Sequence, residues 1–168
     1  MLRFITLFLL LLGVLFVAEL TTVAERHVIL PFTAVLADIS AWIIHFFDPD
    51  TVSYGKHIQS ADGQFVIAIE RGCNGIEAVI ILFSAIIAFP GPWKHKAVGL
   101  VLGFLAIQAF NLLRIVSLFF LALWSREWFD VFHVYLWQAL IVLDALIVFL
   151  VWLRYLPPAS PAASPATA

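Results

Sequence analysis

The chain has 168 residues, of which 64% are hydrophobic and only 12% are charged. Its mean hydropathy of +1.07 excludes an ordinary soluble enzyme, because soluble domains are only about half apolar. The net charge of −2 gives no reason to expect a nucleic acid partner. The length allows a single membrane domain, expected over residues 1–156, and one cysteine cannot form an internal disulfide.

The first predicted element is a membrane span over residues 4–20. This segment is almost entirely Leu, Phe, Val and Ile, and with its flanks it reaches the roughly 20 residues needed to cross the hydrocarbon core. A signal peptide has a shorter apolar region and a small-residue cleavage site, and neither is convincing here. We therefore expect an uncleaved first span.

Residues 28–47 form an apolar stretch of a different kind. Asp38, His45 and several alanines fall on one helical face, whereas large apolar side chains cover the other. This pattern is typical of an amphipathic helix that lies in the membrane interface. The alternative is a fifth span with Asp38 turned inward.

The only substantial polar region, residues 48–71, suits a small external β-hairpin. Val52–Tyr54 and residues 65–69 have the composition of strands, and Asp62-Gly63 favours a turn between them. This hairpin leads directly to the cysteine.

Three further spans are predicted, over residues 75–89, 97–120 and 134–153, and a polar loop is expected at residues 125–130. The fold class is therefore an all-α integral membrane helix bundle with four transmembrane helices, the interfacial or fifth spanning helix, and the hairpin. Lys94 and Lys96 place the turn at residues 90–96 in the cytoplasm by the positive-inside rule, so the hairpin faces outward. Residues 157–168, rich in Pro, Ala and Ser, are expected to be a disordered tail.

Three chemically reactive residues stand out in or beside these spans: Cys73, Arg114 and His133. Cys73 and His133 stand at the outer ends of their spans. Arg114 lies 17 residues after Ala97, about 25 Å along a helix, and therefore near the same depth. A thiol, a guanidinium and an imidazole are the groups that a cysteine transpeptidase uses.

Two polar residues are expected to support this group. Glu77 lies one helical turn after Cys73, and Asn111 belongs to a polar stripe with Gln108 and Arg114. Charged groups at such positions normally face the interior of a bundle. The histidines show no metal-ligand spacing, so we expect neither a metal nor a cofactor.

Each residue also has a structural interpretation. A lone membrane cysteine is often a small apolar filler, and Arg114 could form a helix-packing ion pair with Glu77 or Asp144. His133 could be an interfacial residue at a helix start. Under these interpretations the chain is a non-enzymatic membrane scaffold of an export or polysaccharide system. A membrane cysteine acyltransferase acting on lipid is a further alternative.

At these residues the sequence resembles the exosortase/archaeosortase family, over about residues 30–153. The resemblance rests on Cys73-Asn74-Gly75, on Asn111-Leu112-Leu113-Arg114-Ile115, and on the late His133. The small size and the wording around the cysteine look most like exosortase H. Many members have a basic residue where this chain has Glu77, and longer members have additional N-terminal spans.

The resemblance implies a membrane-embedded cysteine protease or transpeptidase of the bacterial plasma membrane, with its active site toward the outer face. Its substrates would be exported proteins with a C-terminal sorting signal, which consists of a short motif, a transmembrane helix and a basic tail. The family's catalytic Cys, Arg and His correspond to Cys73, Arg114 and His133. The resemblance also implies a thioacyl intermediate that is transferred to an acceptor.

Overall fold

A computed structural model describes residues 1–60, 63 and 65–157 of the chain. Seven α-helices are found in this part: α1 (Leu2–Glu19), α2 (Thr22–Ala24), α3 (Leu30–His45), α4 (Ile76–Ala88), α5 (Trp93–Trp124), α6 (Arg126–Val131) and α7 (Trp137–Arg154). π-helical turns at Glu25–Ile29 and Phe132–Leu136 join α2 to α3 and α6 to α7. Four helical segments are long and apolar enough to cross a membrane: Leu2–Glu19, Thr22–His45, Trp93–Trp124 and Arg126–Arg154. The predicted all-α membrane bundle is confirmed.

Helix α4 occupies the centre of the bundle, where it packs against α1, α5 and α7. Its 13 residues make it about 20 Å long. A helix that is apolar on all sides is typical of a buried position, and here the surrounding helices provide it. Phe4 packs on Phe89 with ring centroids 5.7 Å apart, while Phe16 lines the same cavity as Gly75. Helices α1 and α4 are therefore antiparallel, and α1 ends on the side where Cys73 lies.

The contacts of α3 favour the interfacial arrangement over a fifth span. Before the helix begins, Glu25 accepts a hydrogen bond from Arg71 at 2.8 Å, and in its middle Asp38 accepts one from Ser53 at 2.7 Å. Both partners belong to the polar segment that leads to Cys73. The chain thus enters and leaves α3 on one side of the bundle, although the helix has the length and composition of a span.

The two faces of α3 differ in part from the expected pattern. Its small residues Ala37 and Ala41 are buried against the protein, and the large apolar Trp42 and Phe46 are exposed. Asp38 is exposed and bonded to the external sheet rather than turned inward. The small residues serve close packing, and the apolar outer face suits contact with lipid.

The polar region forms a three-stranded sheet, not the two-stranded hairpin expected from the sequence. Strands β1 (Val52–Tyr54), β2 (His57–Gln59) and β3 (Val66–Ala68) are antiparallel in the order β1-β2-β3. Strand β2 gives no pattern in the sequence, because it has only three residues and one of them is apolar. Gly55, with a φ of +56°, makes the turn between β1 and β2.

Two expectations fall outside the described residues. The predicted turn at Asp62-Gly63 includes Asp62, which is not described, and the predicted tail lies beyond Pro157. The expected loop at residues 125–130 is wrong, because helix α6 begins at Arg126 and continues into α7. Ser125 is extended, with φ −160°, and its carbonyl accepts a hydrogen bond from Phe129 at 3.0 Å, which starts the new helix.

Candidate active site

A tight turn at residues 72–75 holds Cys73 directly before α4. Gly72 and Gly75 have φ values of +79° and +75°, which side-chain-bearing residues rarely adopt. The amide of Cys73 donates to the carbonyl of Glu70 at 2.9 Å, and the buried Asn74 accepts from the amide of Ile76 at 3.0 Å through Oδ1. These bonds fix the direction of the thiol.

Arg114 reaches this turn from the middle of α5. Its side chain is 1% exposed. Nη1 donates to the carbonyl of Gly72 at 2.9 Å, and Nη2 lies 3.6 Å from Sγ of Cys73. The planar guanidinium therefore binds the turn with one nitrogen and the sulfur with another.

His133 reaches the same sulfur from the π turn between α6 and α7. Its Nε2 lies 3.2 Å from Sγ of Cys73, and its ring packs on Phe129 with centroids 5.3 Å apart. When Nε2 is unprotonated it can accept the thiol proton at this distance. The structure thus brings together the three residues that the sequence analysis singled out.

The two predicted supporting residues contact the turn and do not touch the sulfur. Oε1 of Glu77 accepts from the amide of Gly72 at 2.6 Å. Asn111 is fully buried and donates to Gln108 at 3.5 Å. A Cβ added at Gly75 would lie 3.3 Å from the Asn111 side chain, so Asn111 closes the space beneath the turn.

Burial raises the pKa of the Cys73 thiol above its ordinary value. The Arg114 guanidinium opposes this shift of the pKa, whereas the carboxylates of Glu77 and Glu70 add to it. The balance leaves the thiol protonated at neutral pH. A base at the distance of His133 is therefore required to generate the thiolate.

No ion pair of Arg114 is found in the described part of the chain. The two ion pairs seen there are Lys56 with Glu70 and Arg71 with Glu25. The interpretation of Arg114 as a helix-packing partner of Glu77 or Asp144 therefore lacks the contact it requires.

A small cavity of ≈ 80 Å³ opens beside the sulfur. Strand β3, Phe129 and His133 contribute to its wall. Phe129 was not predicted, because residues 125–130 were expected to form a loop; its position four residues before His133 becomes a signal only when the segment is helical. Within residues 1–60, 63 and 65–157, no group of three or more His, Cys, Asp and Glu side chains is placed to hold a metal ion.

Comparison with known families decides the classification. The profile of the transmembrane exosortase family (Exosortase_EpsH) matches residues 1–153. The chain belongs to this family. Exosortases are membrane transpeptidases and peptidases, so the chain is a multi-pass membrane protein of an enzyme family, and the resemblance read from its motifs is confirmed. No curated protein and no solved structure gives a significant match.

Proposed function

We propose that this exosortase is a cysteine transpeptidase that cleaves the C-terminal sorting signals of exported proteins and transfers them to an acceptor. The proposed catalytic residues are Cys73, Arg114 and His133. The observation that carries the proposal is one set of distances: Sγ of Cys73 lies 3.2 Å from His133 and 3.6 Å from Arg114. A base and a cationic donor thus both lie next to the sulfur that would act as the nucleophile.

The first half of the reaction forms a thioester. His133 Nε2 takes the proton of the Cys73 thiol, and the sulfur attacks the carbonyl carbon of the scissile amide. The C–N bond breaks as His133 returns the proton to the leaving amine, which departs with the substrate's transmembrane helix. Nη2 of Arg114 stabilises the thiolate that forms in this step. The same nitrogen can donate to the oxyanion that develops when the sulfur attacks.

The second half regenerates the thiol. An acceptor amine attacks the thioester carbonyl, His133 takes the amine proton, and the C–S bond breaks to give a new amide. The departing Cys73 thiolate then takes this proton from His133, which restores the thiol and the neutral imidazole. Water in place of the amine would give hydrolysis. All steps use the side chains of this chain alone.

The basic turn at Lys94 and Lys96 supports an outward-facing site, whereas the other Lys and Arg residues are divided between the two ends of the bundle. Four basic residues gather at the end of the bundle opposite Cys73: Arg3, Lys94, Lys96 and Arg154. Contacts place them there, since Phe4 packs on Phe89 and the Trp152 indole donates to the carbonyl of His95 at 3.1 Å. Basic residues near span ends mark the cytoplasmic side.

The orientation is tested in a Cys73→Ala background, with one new cysteine at Lys94 or at Ser125. We expect an impermeant thiol reagent to label the cysteine at position 125 in intact cells, and the one at position 94 only after lysis. Labelling of position 94 alone in intact cells would reverse the orientation.

The nucleophile is tested by comparing cells that express the native chain with cells that express Cys73→Ala. We expect at least one exported protein to keep its C-terminal helix only in the variant, as measured by mass spectrometry of C-terminal peptides. That protein is the substrate used in the experiments below. Cys73→Ser is expected to be nearly as inactive, because a hydroxyl is a poorer nucleophile with the same base.

The two alternatives predict other outcomes. A scaffold would keep its cellular function in Cys73→Ala at normal protein level. An acyltransferase would carry a fatty acyl chain, not a protein, on Cys73 when the intermediate is trapped. Either result would remove the transpeptidase proposal.

A further inference from the structure

The outer edge of β3 carries backbone groups that point away from the sheet. The ladder between β2 and β3 is defined by two hydrogen bonds of 2.9 Å, from Ser60 to the carbonyl of Phe65 and from Ile69 to the carbonyl of Lys56. Alternate residues of an antiparallel strand face its partner. The N–H and C=O of Ala68 therefore face the other side, where no further strand is found among the described residues.

This edge borders the cavity that Cys73 lines. Four consecutive residues line it, Ile67, Ala68, Ile69 and Glu70, together with Cys73 and His133. One face of a strand would contribute only every second residue. Strand β3 contributes the adjacent residues Ile67 and Ala68, and the chain continues along the cavity through Ile69 and Glu70. The cavity therefore follows the backbone edge of the strand and not one of its faces.

The strand is held firmly at this place. Ile69 is 3% exposed and packs in the core beneath the sheet. Lys56, in the turn between β1 and β2, forms an ion pair at 2.7 Å with Glu70, which follows β3. The backbone groups of Ala68 are therefore fixed relative to Sγ before any substrate arrives.

We propose that β3 is the docking strand for the substrate: the extended residues next to the scissile bond pair with the edge at Ala68 as an added strand. This inference rests on the proposed function. A cavity of ≈ 80 Å³ is much smaller than one turn of a helix, whose diameter with side chains is about 10 Å, so we expect the segment that enters it to be extended. Added strands gain affinity from main-chain hydrogen bonds, and such pairing would place a substrate carbonyl along the path to Cys73.

Ala68→Pro tests the pairing with little damage to the sheet. Proline lacks the amide hydrogen, and an edge strand tolerates it where that hydrogen points away from the ladder. We expect processing of the substrate to fall at least tenfold. The rate at which iodoacetamide alkylates Cys73 should stay within twofold of the native rate, because the thiol and its partners are untouched.

Ser53→Pro is the matched control at the opposite edge of the sheet. Tyr54 and His57 flank a two-residue turn and pair with each other. Since alternate residues of β1 face β2, the amide of the preceding residue, Ser53, faces away from β2. We expect this variant to process the substrate within threefold of the native rate.

Hydrogen exchange gives a second measurement that needs no change in β3. In Cys73→Ala protein in detergent micelles, the Ala68 amide should exchange at least tenfold more slowly once the substrate is added, and the Ser53 amide should not change. Native processing by Ala68→Pro, or no added protection at Ala68, would overturn the docking strand while leaving the proposed function intact. If Ala68→Pro does not fold, the exchange result decides. Processing by Cys73→Ala would instead remove the function itself.

Discussion

Two buried cations lie at opposite ends of the bundle, and their surroundings differ in an instructive way. Lys96 is 7% exposed, donates to the carbonyl of Ile87 at 2.7 Å, and lies 5.1 Å from the ring centroid of Trp93. Arg114 is 1% exposed and also binds one carbonyl next to α4, but a second nitrogen of its guanidinium reaches a thiol. Burial of a positive charge therefore does not by itself distinguish the proposed catalytic Arg114 from Lys96. The two cations differ in a second contact: after Nη1 of Arg114 binds the Gly72 carbonyl, Nη2 remains free to donate to the Cys73 sulfur.

Arg114→Lys is expected to have the largest effect on the rate of substrate processing. Lysine offers a compact point donor in place of a planar fork, so it can bind Gly72 or approach Cys73 but not both. Losing one such donor typically costs about a hundredfold or more in rate. We expect processing to fall by about that factor while the protein level in the membrane stays near native, measured side by side with Arg114→Ala.

The matched control is Lys96→Met at the other end. This variant loses the bond to Ile87, so we expect lower thermal stability and a near-native processing rate per molecule. Near-native activity of Arg114→Lys would contradict a catalytic role for the guanidinium. So would activity that declines only in proportion to protein level in both Arg114 variants.

A pair of glycines sharpens the comparison with a smaller effect. Gly75 has a φ of +75°, and a Cβ there would lie 3.0 Å from Nε2 of Gln108; left-handed backbone costs an ordinary residue roughly 1–2 kcal/mol. We expect Gly75→Ala to displace the turn that holds Cys73 and to lower processing about tenfold. Gly99→Ala would place its Cβ inside the indole of Trp152, and overpacking costs about 1–3 kcal/mol.

The two variants are therefore expected to fail in different measurements. Gly99→Ala should lower the melting temperature and leave the processing rate of the folded protein unchanged. Gly75→Ala should lower the rate even where the protein is fully folded. Equal losses of processing rate in both variants would show that packing at Gly99 affects the reaction as much as the turn at Gly75 does.

The smallest effect concerns the pKa of Cys73. The Glu77 carboxylate raises this pKa, so Glu77→Gln, which keeps an acceptor for the Gly72 amide, should lower it. At any pH below the pKa the thiolate fraction then increases, and the pH dependence of alkylation by iodoacetamide moves to lower pH. Glu127→Gln is the control, since Glu127 is not among the groups that shift this thiol. A shift to higher pH in Glu77→Gln would refute the electrostatic account.

Much of this molecule was predictable from the sequence because membrane burial leaves a strong signal. Apolar runs of sufficient length gave α1, α5 and α7, and the rise of 1.5 Å per residue placed Arg114 near the depth of Cys73. Charge in an apolar span gave Arg114 itself. These inferences need only one helix at a time.

The remaining features depend on contacts between elements, which single-sequence patterns do not contain. Strand β2 is too short to show alternation, and its pairing with β3 is decided by tertiary contacts. The bond from Arg114 to the carbonyl of Gly72 joins residues 42 positions apart. Helix α6 was misread as a loop because its polar residues, Arg126, Glu127 and Asp130, resemble a solvated connection.

The π turn at Phe132–Leu136 means that the direction of His133 is set by a count of residues. The amide of Trp137 donates to the carbonyl of Phe132, five positions earlier instead of four, so the turn holds one more residue than an α-helix would. Deleting Val134 would leave every reactive side chain in the protein and would favour regular α geometry. Because His133 lies inside the π turn, the deletion would also change the direction of its imidazole relative to the sulfur. At this position the number of residues in the turn is as important for the contact with Cys73 as the histidine side chain itself.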